Sequence, residues 1–174
     1  MSDRLISAAL KVGMKITLVP VYYRCSDFGK EPSEAQKRFQ FSSTESYFKH
    51  IESLSSTYAS NTEVTIGYGL HSLRIATANE IKEIISYNLE LPCHLHISEQ
   101  MKEVDACVQY LGARPVEWLT TETEVGSNCH LVHSTHITND EMNAIIRADA
   151  NVVICPTTEG NLGDGFFPIS DYIK

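Results

Sequence analysis

The sequence predicts an α/β protein with parallel strands, because short β-branched apolar runs alternate with longer stretches whose apolar residues recur three and four apart. Helix starts fall between those runs. Ser42 ahead of Glu45, Thr77 ahead of Glu80 and Thr138 ahead of Glu141 each match the S/T-x-x-E capping box, in which hydroxyl and carboxylate satisfy backbone N–H groups that the first turn leaves free. A third observation is that reactive side chains gather at the C-terminal ends of successive strand candidates. Strands separated by helices leave either a doubly wound sheet or a (β/α)8 barrel, and periodicity does not choose between them. The gathered polar residues describe the active face of a barrel.

The strand candidates are Lys15–Tyr22, Glu63–Tyr68, Pro92–Ile97, Cys129–His133 and Asn151–Cys155. After Ser98 a helix runs through Met101, Val104, Val108 and Leu111, with Gly112 where a left-handed cap belongs. A short helix follows over Pro115–Leu119. The Arg24–Gln40 stretch is polar, carries Gly29 and Pro32, and reads as loop. There is no internal repeat and no low-complexity linker.

The 14 Lys and Arg against 22 Asp and Glu leave a net charge of −8, which argues against nucleic acid, since a phosphate-tracking surface needs a basic excess. With 43% apolar and 21% charged residues, the chain has enough for one core and is too apolar for disorder, so residues 1–174 read as a single domain. No apolar run approaches the ~20 residues that span a bilayer, and Met1–Gly13 lacks the basic start and cleavage pattern of a signal peptide. The expectation is a cytoplasmic protein without a membrane partner. The five cysteines are widely spaced with no C-x-x-C pair and read mostly as buried thiols.

The strongest chemical signal is Cys93-His94-Leu95-His96-Ile97-Ser98-Glu99-Gln100. Residues i and i+2 of a strand share a face, so His94 and His96 point the same way, with a carboxylate three residues beyond. An imidazole that holds a metal, with a Glu just past the strand end, suits metal-assisted hydrolysis: the metal acidifies a water and the Glu moves its proton to the leaving group. Alternatively, the pair is structural and Glu99 is a helix-start acid favoured by the dipole. His130-Leu131-Val132-His133-Ser134-Thr135-His136 repeats the theme on the next strand, and two such strands in succession favour a shared metal. In His71-Ser72-Leu73-Arg74 the Arg suits bidentate capture of a carboxylate, with an exposed surface ion pair as the alternative. Cys155–Gly165 is glycine-rich but lacks the Lys-Ser/Thr of a P-loop and the G-x-G-x-x-G spacing, so it reads as a substrate-shaped loop or a plain turn.

Taken together, His71-Ser72-Leu73-Arg74, His94–Gln100, Gly112-Ala113-Arg114-Pro115-Val116-Glu117-Trp118-Leu119, His133-Ser134-Thr135-His136 and Cys155-Pro156-Thr157-Thr158-Glu159-Gly160-Asn161-Leu162-Gly163-Asp164-Gly165 resemble the amidohydrolase superfamily, and within it the formimidoylglutamate deiminase family of bacterial histidine degradation. Leu18–Arg24 and Gln36–Phe39 extend the resemblance over essentially the whole chain. It implies a zinc-dependent (β/α)8 barrel that hydrolyses the C=N carbon of N-formimino-L-glutamate to N-formyl-L-glutamate and ammonia.

By position, the resemblance makes His96 the fifth-strand metal ligand, Glu99 the proton shuttle, and His133 the group that orients water and substrate. His71 and Arg74, with Tyr23, fall to the glutamyl end of a small carboxylate substrate. The family's first-strand His-x-His pair and eighth-strand Asp are absent, so residues 1–174 look like a central piece of the barrel, about strands three to seven. On that expectation the chain alone is inactive, holds zinc weakly or not at all, and self-associates through open barrel edges. Two alternatives remain: a deaminase of a nucleobase or another amidine, and a non-catalytic barrel remnant.

Overall fold

The computed structural model describes residues 1–173. An amphipathic helix, α1 (Ser2–Lys11), leads into β1 (Ile16–Leu18) and β2 (Val21–Tyr22). After a polar stretch with one 3-10 turn at Lys37–Phe39 come α2 (Thr44–Tyr58), β3 (Val64–Ile66) and β4 (Tyr68–Leu70). A second 3-10 turn at Leu73–Ile75 precedes α3 (Ala78–Ile85), β5 (Cys93–Ile97), α4 (Met101–Leu111) and α5 (Pro115–Glu122). The rest is β6 (Cys129–His133), α6 (Asn139–Arg147), β7 (Asn151–Val153), α7 (Pro156–Leu162) and α8 (Ile169–Tyr172).

Every strand pairing is parallel, in the order β2-β4-β5-β6-β7, with β1 beside β3. This is an arc of an α/β barrel that does not close, since β2 and β7 are its two edges. Two expected strands are each broken in the middle. Pro20 interrupts Lys15–Tyr22, because it has no N–H to give to the ladder. Gly67 interrupts Glu63–Tyr68, which resumes and runs on to Leu70.

Tyr47 of α2 occupies the break. Its hydroxyl donates to the Pro20 carbonyl at 2.7 Å and accepts from the Gly69 N–H at 2.7 Å, replacing the ladder bonds lost there. Gly67 and Gly69 are demanded by close approach, since a Cβ would lie 2.6 Å from the Pro92 carbonyl at the first and 2.0 Å from the His94 carbonyl at the second.

The capping boxes at Thr77/Glu80 and Thr138/Glu141 form as expected. The third is displaced by one residue, to Ser43 and Ser46, because the stripe Tyr47, Ile51 and Leu54 sets the phase of α2 and leaves Glu45 on the outer face, paired with Lys49 at 2.7 Å. Gly112 takes the left-handed cap at φ 80°.

The core lies between the sheet and its helices. Cys93, Leu95 and Ile97 of β5 and Cys129 and Leu131 of β6 pack against Ile81, Ile84, Cys107, Val116, Leu119 and Ile145. The intervening residues, His94, His96, His130 and Val132, are half-buried on the opposite face. All five cysteines are free, and three of them are buried.

The glycine-rich stretch is corrected most by the structure. It is not a loop: Pro156 presets the first turn of α7, and Gly163 ends it in the left-handed region at φ 72°. The last expected strand stops at Val153 rather than Cys155, because Cys155 becomes the cap of that helix.

Candidate active site

The rings of Tyr23, His71, His96 and His133 form a row across the C-terminal ends of the strands. Tyr23 meets His71 edge-on at 5.9 Å between centroids, His71 lies 5.1 Å from His96, and His96 stacks at 5.5 Å on His133. Strict alternation along β6 would send His133 to the helix side with Cys129 and Leu131. It does not go there, because His133 and Ser134 adopt left-handed backbone at φ 75° and 50°, turning the imidazole toward His96. Ser98, the residue after β5, is also left-handed, at φ 51°. Non-glycine residues in this region cost about 1–3 kcal/mol each and persist where surrounding packing enforces them, as it does often at functional sites.

His96 Nδ1 donates to the carbonyl of His71 at 2.8 Å. That bond fixes the tautomer and leaves Nε2 with its lone pair free, the arrangement a metal-bound imidazole shows. His71 is held neutral, its pKa lowered to about 4 by burial and, secondarily, by His96 beside it.

Glu99 faces His133, its Oε1 3.3 Å from Nε2. On the far side of the same ring, Nδ1 lies 3.0 Å from Oε1 of Glu159, a residue only 3% exposed, and that oxygen also accepts the Cys155 N–H at 2.8 Å. Ligand atoms of His133, Cys155 and Glu159 lie within 4.8 Å of one another. Because the Glu159 oxygen is already shared between the imidazole and a backbone N–H, the cluster works as a hydrogen-bonded brace for His133.

Arg74 and Glu99 line one cavity of about 180 Å³, together with Asp27, Gln100, Lys102, Glu103 and Ala106. The Arg74 Nε is buried without a hydrogen-bond partner. Glu103 accepts from the Ser98 and Glu99 N–H groups at 3.2 and 3.0 Å. Burial pushes its carboxyl above the ordinary range, while those two donors and Arg74 pull it back. Tyr23 has its hydroxyl engaged by the Gln36 side-chain amide at 3.0 Å and contributes its ring edge to the row. His94 is not part of the row; it stacks on His130 at 4.3 Å, lower on the strands.

Sequence reasoning counts Glu159 among the polar residues at the strand ends without giving it a role, and misses Glu103 and Asp164. The Asp164 carboxylate, 6% exposed, accepts from the Gln100 side-chain amide at 2.8 Å. A Pro at helix position N1 with Glu in the next turn marks α7 and so signals Glu159. Glu103 stands at the third position of α4, from which a Glu reaches back to N–H groups ahead of the helix, so its signal is local; nothing local signals Asp164.

Comparison with known proteins fits this geometry. No family model matches the chain. A formimidoylglutamate deiminase from Pseudomonas aeruginosa is 38% identical over 99% of the chain, and a 5-methylthioadenosine/S-adenosylhomocysteine deaminase from Halobacterium salinarum is 28% identical over 64%. The crystal structure of an amidohydrolase from Brucella melitensis superposes with a TM-score of 0.93 at 37% identity over 99% of the chain. An adenosine deaminase from Xanthomonas campestris with bound zinc shares the fold, with a TM-score of 0.80 at 20% identity. In sequence and fold the chain is similar to these amidohydrolases, consistent with a piece of a protein of that superfamily. Within it, the match to formimidoylglutamate deiminase runs nearly end to end along the chain. The chain spans 38% of the length of that relative, 26% of the Halobacterium relative and 39% of the Brucella structure. Among the described residues, no helix is long and apolar enough to cross a membrane.

Proposed function

We propose that these residues belong to a zinc-dependent deiminase site that converts N-formimino-L-glutamate and water into N-formyl-L-glutamate and ammonia. The observation that carries the reading is the juxtaposition of His96, with Nε2 freed by its bond to the His71 carbonyl, and the Glu99–His133 pair beside it. The name of the Pseudomonas aeruginosa relative supports the substrate.

His96 Nε2 would hold the zinc, with the remaining ligands supplied by barrel strands other than those of residues 1–174. When bound, zinc supplies the acidity that makes water a competent nucleophile near neutral pH. Glu99 accepts one proton as the water oxygen bonds to the amidine carbon and passes it to the imino nitrogen, turning C=N into C–N; it then carries the proton left on that oxygen to the same nitrogen as C=O forms, the C–N bond breaks and ammonia leaves. His133, braced by Glu159, hydrogen-bonds the oxygen that has added. Arg74, which lines the cavity beside Glu99, pairs with the substrate's carboxylate, with His71 as a hydrogen-bonding neighbour and the Tyr23 ring at the margin. In this reading residues 1–174 are one domain segment covering the third to seventh barrel strands. The enzyme is cytoplasmic and acts on a small carboxylate substrate, without a nucleic-acid or membrane partner.

The test is a hybrid enzyme in which this chain replaces the aligned part of the Pseudomonas aeruginosa relative. Zinc content and ammonia release would be measured with N-formimino-L-glutamate and with 5-methylthioadenosine. Turnover of the former is expected. A folded, zinc-loaded hybrid that deaminates only the nucleoside would overturn the reading.

A further inference from the structure

Glu99 stands on a short connection between the last residue of β5 and the first turn of α4, and that connection is strained at Ser98. A left-handed serine relaxes unless something holds it. Glu103 does so with both of its oxygens, Oε1 accepting from the Ser98 N–H and Oε2 from the Glu99 N–H. Neither donor can be satisfied by the sheet, since β5 has ended, and both would otherwise be orphaned next to a buried serine. Glu103 itself is only 7% exposed, and a buried carboxylate is kept in such a place only by compensating donors.

We propose that Glu103 is the positioning residue for Glu99, clamping the backbone on which it sits so that its carboxylate meets His133 Nε2. The clamp and Glu99 border the same cavity as Arg74, so one loop conformation sets the distance from the proton-transfer group to the substrate-binding guanidinium. A second tie, from Gln100 to Asp164, fixes the next residue without touching the Ser98 and Glu99 amides, which leaves both of those donors to Glu103. Glutamine at this position keeps one acceptor oxygen but presents an amide N–H₂ where the second is needed, so it cannot serve both donors.

The role rests on the reading of Glu99 as the proton-transfer group, but its structural core is testable without activity. In the hybrid enzyme, isotopically labelled, NMR would follow amide exchange at Ser98 and Glu99 and the imidazole nitrogen resonances of His133, in wild type, Glu103→Gln and Glu99→Gln. Glu103→Gln is expected to speed exchange at Ser98 and Glu99 at least tenfold, leave Leu95 protected, and move the His133 Nε2 resonance the way Glu99→Gln moves it. If Glu103→Gln does not fold, Glu103→Asp, one methylene too short to reach both donors, gives the same readout. In the hybrid enzyme, kcat should fall 10- to 100-fold with KM within twofold and zinc content unchanged. A His133 resonance that stays at its wild-type position in Glu103→Gln while Glu99→Gln shifts it would overturn the proposal, whatever substrate the hybrid uses. So would an unchanged kcat in a hybrid that is active.

Discussion

The His133 imidazole meets the Glu159 carboxylate at 3.0 Å, joining the end of β6 to the first turns of α7 across 26 residues of chain. Both groups are almost fully buried, so the bond is made where water does not compete. It fixes the plane of the ring and therefore the direction in which Nε2 faces Glu99. Glu159→Gln in the hybrid enzyme should lower kcat by about 10- to 100-fold, the usual range for loss of such an outer partner. Steady-state rates beside circular dichroism check this; unchanged rates would make Glu159 purely architectural.

Glu99→Gln should keep zinc and lose about two or more orders of magnitude in turnover, because Gln cannot carry a proton between water and leaving group. His96→Ala should lose the metal as well. Metal analysis with kinetics distinguishes the two, and wild-type turnover in Glu99→Gln would remove it from the mechanism.

Arg74 lines a cavity together with Glu99, and no acidic side chain pairs with it there within salt-bridge distance among the described residues. Arg74→Met should weaken use of N-formimino-L-glutamate by about 2–4 kcal/mol in transition-state terms, as expected for loss of a desolvated charged contact. Zinc content should stay constant. A change of only a few-fold in kcat/KM would favour a substrate without that carboxylate.

Tyr47 makes a stability prediction that is independent of function. Tyr47→Phe strips the hydroxyl that serves the Pro20 carbonyl and the Gly69 N–H, leaving buried backbone groups unpaired. The cost should be about 1–3 kcal/mol, read as a lower urea midpoint at constant m-value.

The edges β2 and β7 present unpaired backbone, and Val21 on β2 is an exposed apolar residue. The 174-residue chain should therefore self-associate and hold zinc poorly, since His96 alone is a weak site. Size-exclusion chromatography with light scattering should show association that Val21→Lys reduces. A monodisperse chain that binds one zinc and turns over substrate would contradict this.

Much of the fold follows from local rules that the residues obey by themselves. The alternation Cys93-His94-Leu95-His96-Ile97 puts both histidines on one face because side chains on a strand repeat every two residues. Thr77 with Glu80 and Thr138 with Glu141 start their helices because the partners are three residues apart and need nothing else. The H-x-x-E spacing from His96 to Glu99 is legible for the same reason. Tertiary structure decided the rest. The strand-end motif placed His133 at the site, but how it gets there was not legible: strict alternation along β6 would turn it to the helix side, and a left-handed backbone, enforced by the packing around Ser134 and Glu159, turns it to His96. Glu159 and Asp164 reach the site from far along the chain, and the break at Pro20 and Gly67 is filled by a tyrosine from another element. Those partnerships are chosen by which buried donors remain unsatisfied once the sheet is assembled, and that quantity exists only in the folded chain.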